Sequence, residues 1–100
     1  MNQMPHGVRR QFATKLRYLC SGEPVSGIKS WNGIGNGGRE LASGGFRLVL
    51  TIEFEGAVCA LHAFKKDSAR GRKTRRRHSE IVEQRYRDLC AEYAPRAHKQ

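Results

Sequence analysis

Apolar residues recur at helical intervals near the start of the chain. Their spacing predicts an amphipathic helix between Pro5 and Cys20, with one apolar face available for packing against a core. Pro5 suits the first turn of such a helix, and Gly22 suits its C-terminal stop. The apolar residues of this stripe are Val8, Phe12, Leu16 and Leu19.

A second apolar stripe predicts a helix near the end of the chain. We expect this helix to begin between Thr74 and Ser79 and to end at Pro95. Residues 68–77 before it are polar and basic, a composition typical of a mobile loop or a helix lead-in. Residues 94–100 are expected to form a frayed tail. The members of the stripe are Ile81, Val82, Tyr86, Leu89, Cys90 and Tyr93.

Two runs of strand-like composition lie between residues 46 and 64 and flank Glu55-Gly56. This pair is close in character to the Asp-Gly hairpin turn, so we predict an antiparallel hairpin with a two-residue loop. In that register Leu50 faces Leu61, and one face of the sheet is wholly apolar. The members of this face are Leu48, Leu50, Ile52, Phe54, Ala57, Cys59, Leu61 and Ala63.

The opposite face of the predicted hairpin is mixed in character. On it Arg47 lies opposite Phe64 and diagonal to His62, a separation of about 7 to 8 Å that a long side chain can cover. The three residues lie at the end away from the turn, directly before Lys65 and Lys66. The pleat therefore gathers a guanidinium, an imidazole and a phenyl ring next to a cationic segment.

The segment from Gly22 to Gly38 contains six glycines, which predicts a loop rather than a regular element. Within it the letters GIGNGG match the GxGxxG spacing of dinucleotide-binding loops. We reject that function because no strand precedes the motif and a strand-like run, not a helix, follows it. The apolar anchors of the loop are Ile28, Trp31 and Ile34.

The charge balance is the most unusual property of the composition. The chain has 19 Lys and Arg against 9 Asp and Glu, a formal net charge of +10. Many of these cations are concentrated between residues 60 and 78, and such clustering favours a polyanionic partner. Nucleic acid is favoured over a membrane surface because no aromatic-rich amphipathic helix is present. The alternative is a cationic protein whose charge serves only solubility.

The predicted order is helix, loop, short strand, hairpin and helix. It indicates a single α+β domain over residues 1–100, with helices packed on one face of an antiparallel sheet. Cys20, Cys59 and Cys90 are expected to be reduced core residues. No spacing suits a metal site, so we expect no metal and no other cofactor. With no export signal and no apolar run of spanning length, we expect a cytoplasmic protein without a membrane partner.

Four segments resemble the HigB-like, phage-derived branch of the RelE toxin superfamily: GIGNGGREL, FRLVL, ALHAFKKDS and EQRYRDL, in that order. The likeness covers roughly Pro5 to Tyr93. It implies a RelE-like small domain and the toxin of a type II toxin-antitoxin system. Such a toxin is a ribosome-dependent endoribonuclease that cleaves mRNA and contacts ribosomal RNA. Its implied partner is a helix-turn-helix antitoxin of the HigA-like kind.

The resemblance also assigns positions. Arg47 matches the family's strand arginine, and His62, Phe64 and Lys66 match its strand-end histidine, aromatic residue and lysine. Arg85 matches the arginine of the last helix. Family members normally begin with a strand and a helix, which we expect to be absent from this chain.

Metal-free RNA cleavage by the adjacent 2′-OH needs a base, cations for the phosphorane and a proton for the leaving 5′-oxygen. We predict three catalytic residues: Arg47 as phosphate clamp, His62 as acid or base, and Lys66 as a neutralising cation. The predicted RNA-binding residues are Phe64, Lys65, Arg70, Arg72, Lys73, Arg75, Arg76, Arg77 and Arg85.

Each of these residues also has an ordinary structural alternative. Arg47 could form a surface ion pair with Glu40 or Glu53, and His62 could be a hydrogen-bonded structural histidine. Phe64 could serve packing alone, and the basic run could be a solvated segment. For the whole chain, the alternative is a non-catalytic RNA- or ribosome-binding protein derived from such a toxin.

Overall fold

The computed structural model describes residues 4–54, 57–66 and 71–98 and, within the last range, the side chains of residues 75–92. The described part is an α+β fold with two helices and a four-stranded antiparallel sheet, in agreement with the predicted class. In chain order the elements are α1 (His6–Cys20), β1 (Lys29–Ser30), β2 (Gly38–Ser43), β3 (Phe46–Thr51), β4 (Cys59–Lys65) and α2 (Gly71–His98).

The strands are ordered β1-β2-β3-β4 across the sheet, so each strand pairs with its neighbour in sequence. The β2–β3 connection is a tight hairpin, which the sequence pattern did not predict. Its two-residue turn is Gly44-Gly45, with φ of 52° and 73°, between the paired residues Ser43 and Phe46. Positive φ at both turn positions matches the twist of the strands, which explains the glycine pair.

The two helices lie on opposite faces of the sheet, which corrects the expectation of helices on one face. Neighbouring residues of a strand point to opposite sides. Leu48 of β3 packs in a cluster with Phe12 of α1, whereas the next residue, Val49, packs with Val82 of α2. The sheet is therefore a central layer with a core on each side. The second core was not predicted because the mixed face carries few large apolar residues.

The predicted β3–β4 register is confirmed over the half of the hairpin away from the turn. Arg47 pairs with Phe64, and Val49 pairs with His62. A bulge then shifts the register by one residue, so Leu50 pairs with Ala60 and not with Leu61. The extra residue in the bulged strand places Leu61 in the α2 core, on the face opposite Leu50.

Beyond the bulge the predicted apolar face is incomplete, because Ile52 is 38% exposed. The predicted turn residues Glu55-Gly56 lie outside the described residues. The residues that flank this pair are hydrogen-bonded to each other: the Ala57 amide donates to the Phe54 carbonyl at 3.0 Å.

Helix α1 is confirmed, with Pro5 before its first residue and Gly22, at φ 76°, directly after its C-cap. Helix α2 is longer than predicted. It begins at Gly71, so the helix lead-in is the correct alternative for residues 71–77, and its bounds pass Pro95 to His98. Arg and Lys are good helix formers, which explains the early start.

Within the described part of the chain, no helix combines the length and apolar character needed to cross a membrane.

The glycine-rich segment contains the edge strand β1 and then leads into β2. Trp31 donates its amide to the Gly38 carbonyl at 3.0 Å, and Ile52 donates to Gly37 at 2.9 Å. A Cβ at Gly37 would lie 2.5 Å from the backbone nitrogen of Glu53. These glycines permit close backbone packing. A strand follows them, not a helix, which agrees with the prediction that GIGNGG is not a dinucleotide-binding motif.

The cysteines are free thiols, but the prediction that all three are core residues is wrong. Cys20 is exposed at the end of α1, and Cys59 and Cys90 are half-buried.

Candidate functional site

A cluster of rings lies between the sheet and α2. His62 and Phe64 come from alternate positions of β4, His78 comes from α2, and Trp31 comes from the glycine-rich loop. Phe64 stacks on His78 with ring centroids 4.2 Å apart and forms a T-shaped contact with Trp31, with centroids 6.4 Å apart. His62 stacks on Phe64 at 5.6 Å. Phe64 therefore packs against both imidazoles. Packing is the structural alternative to a role of Phe64 in RNA binding.

The two histidines are joined by a hydrogen bond. Nε2 of His62 and Nδ1 of His78 are 2.8 Å apart. Arg85, one α-helical turn beyond Val82, donates from the same Nη1 to the Leu61 carbonyl at 2.8 Å and contacts Nδ1 of His62 at 3.2 Å. Because of the bulge, the Leu61 carbonyl and the His62 ring both lie within reach of Arg85. Arg85, a predicted RNA-binding residue, therefore lies beside His62.

The environment of the pair disfavours positive charge. Burial lowers the pKa of His62 from 6.5 to about 4, and the neighbouring His78 and Arg85 contribute to this shift. Burial also lowers the pKa of His78, and Arg77 adds repulsion. Both imidazoles are therefore neutral at pH 7, because a protonated ring loses hydration and faces a cation.

Arg47 lies on the same face of the sheet as His62, as the pleat predicts, because it occupies the alternate position to Val49, which pairs with His62. Its side chain is engaged locally. Nε lies 3.4 Å from a carboxylate oxygen of Glu40, and Nη1 donates to the carbonyl of Phe46 at 3.0 Å. An ion pair of Arg47 with Glu40 or Glu53 was the structural alternative for this residue, and the pair with Glu40 is the one that forms. Both side chains remain about one-fifth exposed.

Exposed cations follow the ring residue Phe64 on β4 and precede His78 on α2. Lys65 and Lys66 are exposed where β4 ends, and the Lys66 amide donates to the Gly45 carbonyl at 2.7 Å. Arg75, Arg76 and Arg77 are exposed on the first half of α2. Arg70 lies outside the described residues, and Arg72 and Lys73 are described only as backbone positions of α2.

The site includes His78, which was not predicted as a member. The signal was present, because His78, Val82, Arg85 and Leu89 follow one face of a helix at intervals of four, three and four residues. The helix start was predicted only as a range, between Thr74 and Ser79. The sequence therefore did not show whether His78 belongs to the helix or which side of the helix it occupies. Among the described residues, no group of three or more His, Cys, Asp or Glu is placed to hold a metal ion.

Comparison with known proteins gives a family. Residues 1–87 match the family described as phage-derived protein Gp49-like (DUF891). The chain belongs to this family. Gp49-like proteins are a RelE/HigB-like toxin family, so the resemblance found in the sequence is supported at that level. No curated protein and no solved structure matches the chain significantly.

Proposed function

We propose that this Gp49-like protein is the toxin of a type II toxin-antitoxin system and belongs to the HigB-like branch of its superfamily. Its activity is that of a ribosome-dependent endoribonuclease, which cleaves mRNA by metal-free attack of a 2′-OH on the adjacent phosphate. One observation carries the proposal: the hydrogen-bonded pair of His62 and His78 lies on the face that also carries Arg47 and Arg85.

The chemistry of this group suits transphosphorylation. Neutral imidazoles at pH 7 can exchange protons with hydroxyl groups or donate hydrogen bonds. Arginine guanidinium groups match the geometry of phosphate oxygens, and fixed positive charge at that position stabilises a phosphorane. Lys65 and Lys66 supply further positive charge at the exposed end of β4. Lys66 retains its proposed catalytic role as a neutralising cation.

The partners follow from the same proposal. The substrate is mRNA on the ribosome, and the exposed cations of α2 contact ribosomal RNA without sequence choice. A helix-turn-helix antitoxin of the HigA-like kind holds the toxin inactive. The protein acts in the cytoplasm, where ribosomes are found.

The test expresses the chain from an inducible promoter and maps the 5′ ends of cellular transcripts. We expect growth arrest and cuts phased with codons, both lost in Arg47→Ala and His62→Ala. His6→Ala is the matched control, because His6 is an exposed histidine of α1, away from the ring cluster. Transcripts that stay intact while folded wild-type protein accumulates would refute the nuclease.

A second candidate function is a non-catalytic RNA- or ribosome-binding protein derived from such a toxin. The engagement of Arg47 by Glu40 favours it, as does the occupation of both ring nitrogens of His62. Co-sedimentation with ribosomes separates the two functions. Tight binding with intact transcripts supports the binder, and binding accompanied by phased cuts supports the enzyme.

A further inference from the structure

The hydrogen bonds around His62 determine where its proton lies. A guanidinium group only donates hydrogen bonds, so Nδ1 of His62 is the acceptor in its 3.2 Å contact with Arg85. A neutral imidazole has one protonated and one bare nitrogen. His62 therefore carries its proton on Nε2 and donates it to Nδ1 of His78 across 2.8 Å.

The same reasoning extends to the second ring. Because Nδ1 of His78 accepts a hydrogen bond, the proton of neutral His78 lies on Nε2, which is directed away from His62. The three residues form a chain of donors that runs from Arg85 through His62 to His78. Among the side chains that the structure describes, none receives the hydrogen bond that Nε2 of His78 can donate. His62, in contrast, uses both of its ring nitrogens.

The surroundings of His78 suit a phosphate. His78 adjoins the exposed Arg77 on α2, and the neighbouring strand β4 presents Phe64 on its ring face and His62 at its Nδ1. Among the described residues, the groups recorded as acting on His78 are the Phe64 ring, the His62 imidazole and the charge of Arg77, and none of them is a carboxylate. An anion at Nε2 would meet a hydrogen-bond donor in a region where the charge of Arg77 is felt.

We propose that His78 is the imidazole that contacts the RNA, donating from Nε2 to a non-bridging oxygen of the cleaved phosphate, and that His62 is a positioning residue. This inference rests on the proposed function. In the reaction the 2′-oxygen bonds to phosphorus and the bond from phosphorus to the 5′-oxygen breaks. Water accepts the proton of the 2′-OH and returns one to the 5′-oxygen. His78 stabilises the phosphorane charge through its hydrogen bond, and its own proton stays in place.

The proton positions and the RNA contact can be measured without any cleavage. Long-range nitrogen–proton NMR of protein labelled with nitrogen-15 histidine reports the tautomer of each ring. We expect both His62 and His78 as Nε2-protonated neutral imidazoles at pH 7. Adding a short RNA in which every 2′-OH is methylated, which blocks the reaction, should shift Nε2 of His78 more than either nitrogen of His62. Larger shifts at His62, or shifts at neither ring, would overturn the assignment.

Activity then distinguishes the two roles. On programmed ribosomes His78→Ala should lose about 100-fold in cleavage rate, the usual effect of removing one donor to a transition-state oxyanion. His62→Gln should lose less than about 10-fold, because its amide still donates to His78 and restores most of what His62→Ala removes. Full activity of folded His78→Ala would overturn the inference. Inactive wild-type protein would instead refute the proposed function, while the NMR result still decides whether His78 meets RNA.

Discussion

The hydroxyl of Tyr86 on α2 donates a 2.5 Å hydrogen bond to the carboxylate of Glu53, just beyond the end of β3. The contact joins the helix to the sheet at the end opposite the cationic segment. Gly35 lies so close that an added Cβ would approach the Tyr86 hydroxyl to 2.6 Å. Tyr86 thus ties together α2, the strand end and the glycine-rich loop.

Removal of this hydrogen bond should destabilise the domain modestly. We expect Tyr86→Phe to lower the free energy of unfolding by about 1 kcal/mol, because the Glu53 carboxylate is exposed and water replaces the missing donor. Urea unfolding measures the change. Tyr18→Phe is the matched control, since Tyr18 is 44% exposed, and should leave the midpoint unchanged. Equal effects of the two substitutions would contradict this account of Tyr86.

The glycine at position 37 should not tolerate a side chain. In Gly37→Ala the new Cβ would lie 2.5 Å from the Glu53 nitrogen and 2.8 Å from its Cα, and backbone cannot move aside as a flexible side chain does. We expect a loss of about 2 kcal/mol or more in the free energy of unfolding. Gly7→Ala is the control, because no atom lies within 4 Å of a Cβ there. On the exposed surface of α1 it should stabilise the protein by up to about 1 kcal/mol.

The histidine pair predicts a loss of stability in mild acid. The pKa of His62 is about 4 in the folded protein against an ordinary value of 6.5, so the unfolded chain binds more protons between these pH values. The contribution of neutral His62 to the free energy of unfolding is therefore fully present above pH 6.5 and falls as the pH drops towards 4. Urea midpoints at pH 7 and about pH 4.5 should differ less in His62→Gln than in wild type. His6→Gln should retain the full wild-type difference; a difference unchanged in His62→Gln would exclude the pair as its source.

Neutralising Glu40 should release Arg47 for RNA. Ion pairs that solvent still reaches contribute little, and both side chains of this pair are about one-fifth exposed, so Glu40→Gln should change the free energy of unfolding by only about 1 kcal/mol. The freed guanidinium should raise the affinity for single-stranded RNA several-fold at fixed salt, as measured by fluorescence anisotropy. Glu23→Gln makes the same change in net charge at an exposed site and separates the local effect from the global one. Equal gains in the two variants would show that only net charge matters.

The exposed arginines of α2 should bind RNA phosphates. Replacing Arg75, Arg76 and Arg77 with Ala should weaken RNA binding and flatten its dependence on salt, by about 0.7 in logarithmic slope for each phosphate that is no longer neutralised. The matched control removes three charges from the helix on the other face of the sheet, at Arg9, Arg10 and Arg17. If that triple variant flattens the slope as much as the first, RNA does not prefer the α2 face.

Local periodicity was sufficient for much of the fold. The stripe of α1 and the composition of β3 and β4 depend on neighbours a few residues apart, and these elements were predicted from the sequence. The outer half of the hairpin register was predicted too, because alternation alone places Arg47, Val49 and His62 on one face. The long-range features were not predicted. A bulge at Leu61 leaves no mark on local alternation, since its place depends on what packs against both faces.

The candidate site divides in the same way. The sequence by itself determined that Arg47, His62 and Phe64 share a sheet face beside concentrated positive charge, because a strand has a side-chain period of two residues. Only the tertiary structure brought His78 and Arg85 to that face, by packing α2 on it and by shifting the strand at the bulge. The physical reason is that hydrogen bonds between distant segments depend on where the helix packs. The local sequence pattern of either segment does not contain that information.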